Sequence, residues 1–128
     1  MRWGYERPGL GAVSNMRSEN LDSRMWRESF SSRRCLIPVQ AFYEWSCGRG
    51  HKRTQHFSSP DGRLLWVAGI WEESEDLRRC YSMLTAAANS VVVTVHHRMP
   101  SVLSEGELVK YLDGGLSRFV PAPHALCV

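Results

Sequence analysis

The sequence predicts a single α+β domain, rich in mostly antiparallel strands with a few flanking helices. Three observations predict it. Short runs of β-branched and aromatic residues recur in the second half of the chain, as in "RLLWVAGIWE" and "VVVTV". Turn chemistry such as "SPDG" precedes them. One segment, "SEGELVKYLDGG", carries both a helix start and a helix stop. A length of 128 residues fits one domain. A hydrophobic content of 43% with five tryptophans supplies a core and argues against long disorder.

The elements follow in order. "SNMRSEN", Ser14 to Asn20, gathers Asn15, Arg17 and Glu19 into one polar run. It reads either as a holder for an amine, carbonyl or phosphate or as a turn with a helix cap. Leu21 and Met25 lie four apart with charges between them, which predicts a helix over Leu21 to Phe30. "RCLIPVQAFYEW", Arg34 to Trp45, reads as two short strands, or as one strand with an edge or bulge at Pro38. "SCGRGHKRTQ" reads as a basic, hairpin-like loop. Arg63 to Glu72, "RCYSMLTAAA" and "VVVTV" each predict a strand. Ser104, three residues before Glu107, forms a capping box, and Gly114 stops that helix. Leu108, Tyr111 and Leu112 share its apolar face.

Charge and cysteines narrow the class. A net charge of +3 permits a nucleic-acid partner without demanding one. The four cysteines, Cys35, Cys47, Cys80 and Cys127, form no Cys-x-x-Cys pair, which predicts a reduced chain without a disulfide framework. Cys47, His51 and His56 lack the tight paired spacing of a structural zinc site, so no metal and no cofactor are expected. No apolar run reaches the roughly 20 residues of a membrane span. "MRWGYERPG" has no apolar stretch of a signal peptide, so neither membrane nor secretion is expected.

Three further segments could carry chemistry. In "AFYEW", strand alternation sets Phe42 and Glu44 on one face and Tyr43 and Trp45 on the other. A buried Glu44 would have a raised pKa and suit acid–base work; a water-facing Glu44, or an ion pair, is the plain alternative. In "VHHRMP", a strand continuing through the pair would point His96 and His97 to opposite faces, leaving one for a site. Arg98 would be a natural phosphate contact, and Pro100 would end the strand. In "SMLTAAAN", Thr85 and Asn89 bracket three alanines, which allow either a ligand or another backbone to come close.

Together and in this order, these segments resemble the SRAP family, the SOS-response-associated peptidase or abasic-site processing proteins. "NMRSEN" is similar to the family's Asn-Ala-Arg-x-Glu-Thr pattern. "RRCLIPVQAFYEW" is similar to its Arg-Arg-Cys-Leu-Ile-Pro-Ala-x-Gly-Phe-Tyr-Glu-Trp pattern. "WGY", "AGIWE", "LTAAAN" and "HHRMPSVL" complete the set, from Trp3 to about Leu112. The resemblance implies a β-rich SRAP-like core, here incomplete at both ends. It implies binding of single-stranded DNA and a covalent crosslink to abasic sites in the DNA damage response, with self-peptidase activity. Asn15 would position the nucleophile's amine, Glu44 would shuttle protons, and His96 would help open or close the deoxyribose. Arg17 and Arg98 would hold phosphates. Trp3, Trp45, Met99 and Pro100 would line the DNA groove, with Thr85 beside the site. The expected location is the nucleoid of a prokaryote or the nucleus of a eukaryote.

The family's nucleophile is a cysteine at position two, within Met-Cys-Gly-Arg, whose amine and thiol close a thiazolidine on the sugar aldehyde. This chain opens Met1-Arg2-Trp3. The alternative expectation is therefore a non-covalent single-stranded DNA-binding paralogue, or an inactive gene fragment.

Overall fold

The computed structural model describes residues 1–48, 50–76, 78–116, 119–121 and 126–128. The side chains of Cys47 and His51, named above with His56, lie outside the described set. In chain order the strands are β1 (Arg2–Trp3), β2 (Tyr5–Arg7), β3 (Gly11–Val13), β4 (Asn15–Arg17), β5 (Arg34–Val39), β6 (Ala41–Gly48), β7 (His51–Ser58), β8 (Leu65–Glu73), β9 (Arg79–Ala87), β10 (Arg98–Pro100) and β11 (Val102–Leu103). The α-helices are α1 (Arg27–Ser32) and α2 (Glu105–Asp113). The fold is α+β and strand-rich, as the sequence predicts.

β8 and β9 form the centre of a mixed sheet of seven strands. They pair antiparallel from Glu73–Arg79 to Gly69–Met83 and then diverge. The segment from Arg98 to Leu103 fills the fork, β10 pairing with β9 and β11 with β8. Ser101 sits between them: its N–H donates to Leu84 O at 2.9 Å, and its carbonyl accepts from Ala68 N at 3.0 Å. On the far side of β9, β1 and then β4 run parallel to it, opposite Cys80–Tyr81 and Met83–Thr85. Thr85 is thus flanked by Arg17 on one side and Pro100 on the other.

Alternation sends the sheet's apolar residues into two cores. One holds Ala68, Ile70, Cys80 and Leu84 with Tyr5, Trp26 and Tyr111. The other holds Val67, Val92, Met99 and Val102 with Phe42 and Phe57 of the β6–β7 hairpin. The α2 capping box forms as expected, and Gly114 ends the helix at φ 89, a left-handed conformation that suits glycine. Leu112 departs from the expected face and is half exposed, while Tyr111 is buried and donates to Gly69 O at 2.6 Å. Gly69 leaves room for Ile37, since a Cβ there would stand 2.6 Å from Ile37 Cδ1 and force that side chain to shift.

Four expectations are corrected. "VVVTV" is not a strand; Val92–Thr94 is a 3-10 turn. The Asn89 side-chain oxygen accepts from both Val91 N and Val92 N at 3.0 Å, and this local cap outweighs the β propensity of the valines. "SCGRGHKRTQ" is mostly strand, with Gly48 opposite His51 across the hairpin. The break in "RCLIPVQAFYEW" falls at Gln40, not Pro38, and separates β5 from β6 into different sheets. Pro38 stays within β5, which among the described residues is an edge strand pairing with β8. The helix expected over Leu21 to Phe30 starts later, at Arg27, and Leu21 instead packs in the core within a turn region.

Candidate functional site

The described site grows from the end of β9. Alternation on β6 buries Phe42 against the sheet and carries Glu44 on the same face, leaving Tyr43 and Trp45 exposed. Glu44 is brought to the end of the 3-10 turn, where its Oε2 lies 3.4 Å from His96 Nδ1. Its side chain is 14% exposed. Desolvation raises its pKa, only partly offset by His96. A carboxylic acid that holds its proton above the ordinary carboxylate range, beside an imidazole, is placed to give and take protons.

His96 does not sit on a strand, so the expectation of opposite faces for the two histidines is corrected. The rings of His96 and His97 lie 4.6 Å apart. The backbone of Arg98 flanks His96: Arg98 N–H donates to Nδ1 at 3.1 Å, and Arg98 O lies 3.0 Å from the same nitrogen. Either protonation state of Nδ1 therefore finds a partner on one residue.

The Arg98 side chain turns the other way. Its Nη2 donates to Thr85 O at 2.8 Å and to Thr85 Oγ1 at 3.2 Å, and its Nη1 meets the Glu19 carboxylate at 3.0 Å. Glu19 Oε2 also accepts from Arg17 Nε at 3.2 Å. The Arg98 hydrogen bonds hold the Glu19 carboxyl down to about 2. Arg98 is 12% exposed and both its Nη groups are engaged by internal partners, whereas Arg17 is 60% exposed and is the freer cation.

The structure therefore brings together Glu44, His96, Arg98, Thr85 and Arg17. Trp45 stands 6.1 Å from the His96 ring and under Lys52 Nζ at 4.7 Å. Trp45, Ser46, Val93, Val95, His96 and His97 line an open cavity of about 390 Å³. The two largest of four larger clefts, about 610 and 650 Å³, lie beside Pro60–Trp66 and beside Arg7–Ala12. Neither joins a desolvated carboxylate to an imidazole, so volume does not mark the site.

Asn15 is exposed at the start of β4, opposite Met83. Trp3 is tied to the residue before it, through a Trp3 Nε1 bond to Ser14 O at 2.9 Å, and stacks on Tyr81. A groove-lining role for Met99 and Pro100 is corrected. Met99 is fully buried, its sulfur facing Asn89 N–H, and Pro100 is buried between strands, so neither reaches a ligand on the surface. Sequence reasoning assigned no role to Glu19 or Lys52. The signal for Glu19 is its place in the "NMRSEN" pattern; for Lys52 it is the strand register that sets it near Trp45.

A model of the family described as SOS response associated peptidase (SRAP) matches residues 1–121. An abasic site processing protein of Saccharomyces cerevisiae is 38% identical over 118 residues, covering 83% of this chain and 32% of its own length. The abasic site processing protein YoqW of Bacillus subtilis is 28% identical, covering 88% and 56%. The chain spans between about a third and about half the length of these relatives. A solved structure from Bordetella bronchiseptica superposes at a TM-score of 0.78 with 24% identity, over 99% of this chain and 72% of that one. It shares the fold.

Proposed function

This chain belongs to the SRAP family, and from that membership we propose that it acts on abasic sites in single-stranded DNA. The observation that carries the reading is the desolvated Glu44 carboxyl 3.4 Å from His96 Nδ1. An abasic sugar opens to an aldehyde. When a primary amine adds to it, the carbinolamine must lose water to become an imine. Protonated Glu44 gives its proton to the departing hydroxyl, and ionised Glu44 takes a proton from water on reversal. His96 relays protons to the sugar ring oxygen as the ring opens or closes. Trp45 offers a stacking face for a neighbouring base, and Arg17 meets a flanking phosphate.

The activity proposed for this chain is lesion binding, with Glu44 and His96 as the acid–base pair for addition of an amine to the aldehyde. It would work wherever the cell keeps its DNA.

The test mixes the folded chain with single-stranded DNA bearing one abasic site, beside undamaged DNA. Fluorescence anisotropy should show salt-dependent binding that favours the lesion. A folded chain that binds neither DNA would overturn the proposal.

A further inference from the structure

We propose that Glu19 is a positioning residue for His96, acting through Arg98, and that it holds in check the positive charge of the Arg17–Arg98 pair. The chemical use of His96 rests on the function proposed above; the positioning does not.

Three contacts form the chain of action. The Glu19 carboxylate bridges Arg17 Nε and Arg98 Nη1, at 3.2 and 3.0 Å. The other end of the same guanidinium is fixed on Thr85, through a carbonyl and a hydroxyl. Thr85 Oγ1 in turn donates to Met16 O at 3.3 Å, tying the latch to β4. The Arg98 side chain is thus held at both tips, which fixes the peptide on either side of its Cα. That peptide is the partner of His96 Nδ1.

The arrangement suits a ring that changes its proton. With Nδ1 bare, Arg98 N–H donates to it; with Nδ1 protonated, Arg98 O accepts from it. A proton can pass between Glu44 and His96 without the ring turning, so long as Arg98 stays still. Glu19 is the outermost part of what keeps it still. It also fills the position between two guanidinium groups that a DNA phosphate would seek. Its removal should therefore act in opposite directions, loosening the imidazole and strengthening attraction for the backbone of any DNA.

The test uses the full chain with ¹⁵N-labelled histidine. Nitrogen shifts of His96 in the parent should report an ordered ring engaged at Nδ1. In Glu19→Ala they should move toward those of a free imidazole, while exposed His56 stays unchanged. Affinity for undamaged single-stranded DNA at low salt should rise about threefold, on the scale of one exposed charge pair. Glu19→Asp should restore part of both effects. Unchanged His96 shifts in a folded Glu19→Ala chain would overturn the positioning. Weakened DNA binding would overturn the charge restraint. If Glu19→Ala unfolds, Glu19→Gln removes the charge at constant size and is read by the same two measurements. A parent that binds no DNA would sink the proposed function and leave the histidine shifts as the test of positioning.

Discussion

Two carboxylates linked to the same histidine, one directly and one through Arg98, have opposite surroundings. Glu44 is carried by the β6–β7 hairpin into the space between the hairpin and the sheet, where it loses water and gains one imidazole. Glu19 stays half in water at the sheet edge and gains two guanidinium groups. The first is pushed up and the second is pulled down to about 2. Burial without a cation makes an acid that can trade protons; exposure with two cations makes a permanent anion that can only hold. Glu44 is read as chemistry and Glu19 as scaffolding on this difference.

The contrast can be broken by removing each partner in turn. In a form of the domain that carries a reactive amine, Glu44→Gln should slow imine formation and its reversal about 100-fold or more, the range for a lost general acid–base group. DNA affinity should hardly change, and single-turnover rates beside anisotropy would show the split. Arg98→Ala should cost about 2 kcal/mol in a urea melt, because it strands the Thr85 carbonyl and the Glu19 charge. Thr85→Val should cost about 1 kcal/mol, the value of the side-chain bonds to Arg98 and Met16 O, measured the same way.

Acid titration sharpens the comparison through its sign. Glu19 is depressed when folded, so its stabilisation is full above the unfolded value of 4.5 and is lost as pH falls toward about 2. Glu44 is raised when folded, so its contribution is full below 4.5 and is lost as pH rises through the folded value. Glu19→Gln should flatten the first slope and leave the second, and Glu44→Gln should do the reverse; chemical denaturation across pH 2–7 reads both. The smallest effect concerns Arg17. Its exposed pairing with Glu19 should contribute only a few tenths of a kcal/mol and vanish in 1 M salt, as a double-mutant cycle would measure.

Much of this was legible in the residues. β8 and β9 stand out because long apolar and β-branched runs have few other uses, and α2 because Ser104, Glu107 and Gly114 are local signals that act within one turn. The candidates Glu44 and His96 could be named because motif order carries them, but their contact spans 52 positions and no spacing rule gives it. The stretch at Val91 misled because five β-formers outnumber one asparagine, while two hydrogen bonds accepted by that asparagine's side chain decide the backbone. Arg98 was legible as a cation and not as a buried one, since its partners Thr85 and Glu19 come from two other elements. Met99 and Pro100 were misplaced for the same reason: the fork that swallows them is made by strands distant in sequence.

That fork bears on the time the molecule keeps. The segment from Arg98 to Leu103 is bonded to β9 on one flank and β8 on the other, so it cannot fray outward as a sheet edge does. Apart from Arg98, whose N–H donates to His96 Nδ1, and Pro100, which has none, its amide hydrogens lie inside the fork and meet solvent when β8 and β9 part, an event that takes the centre of the domain with it. Deuterium should therefore enter Met99, Ser101 and Val102 as slowly as it enters β9 itself. His96 hangs two residues from this slow core, just outside the fork.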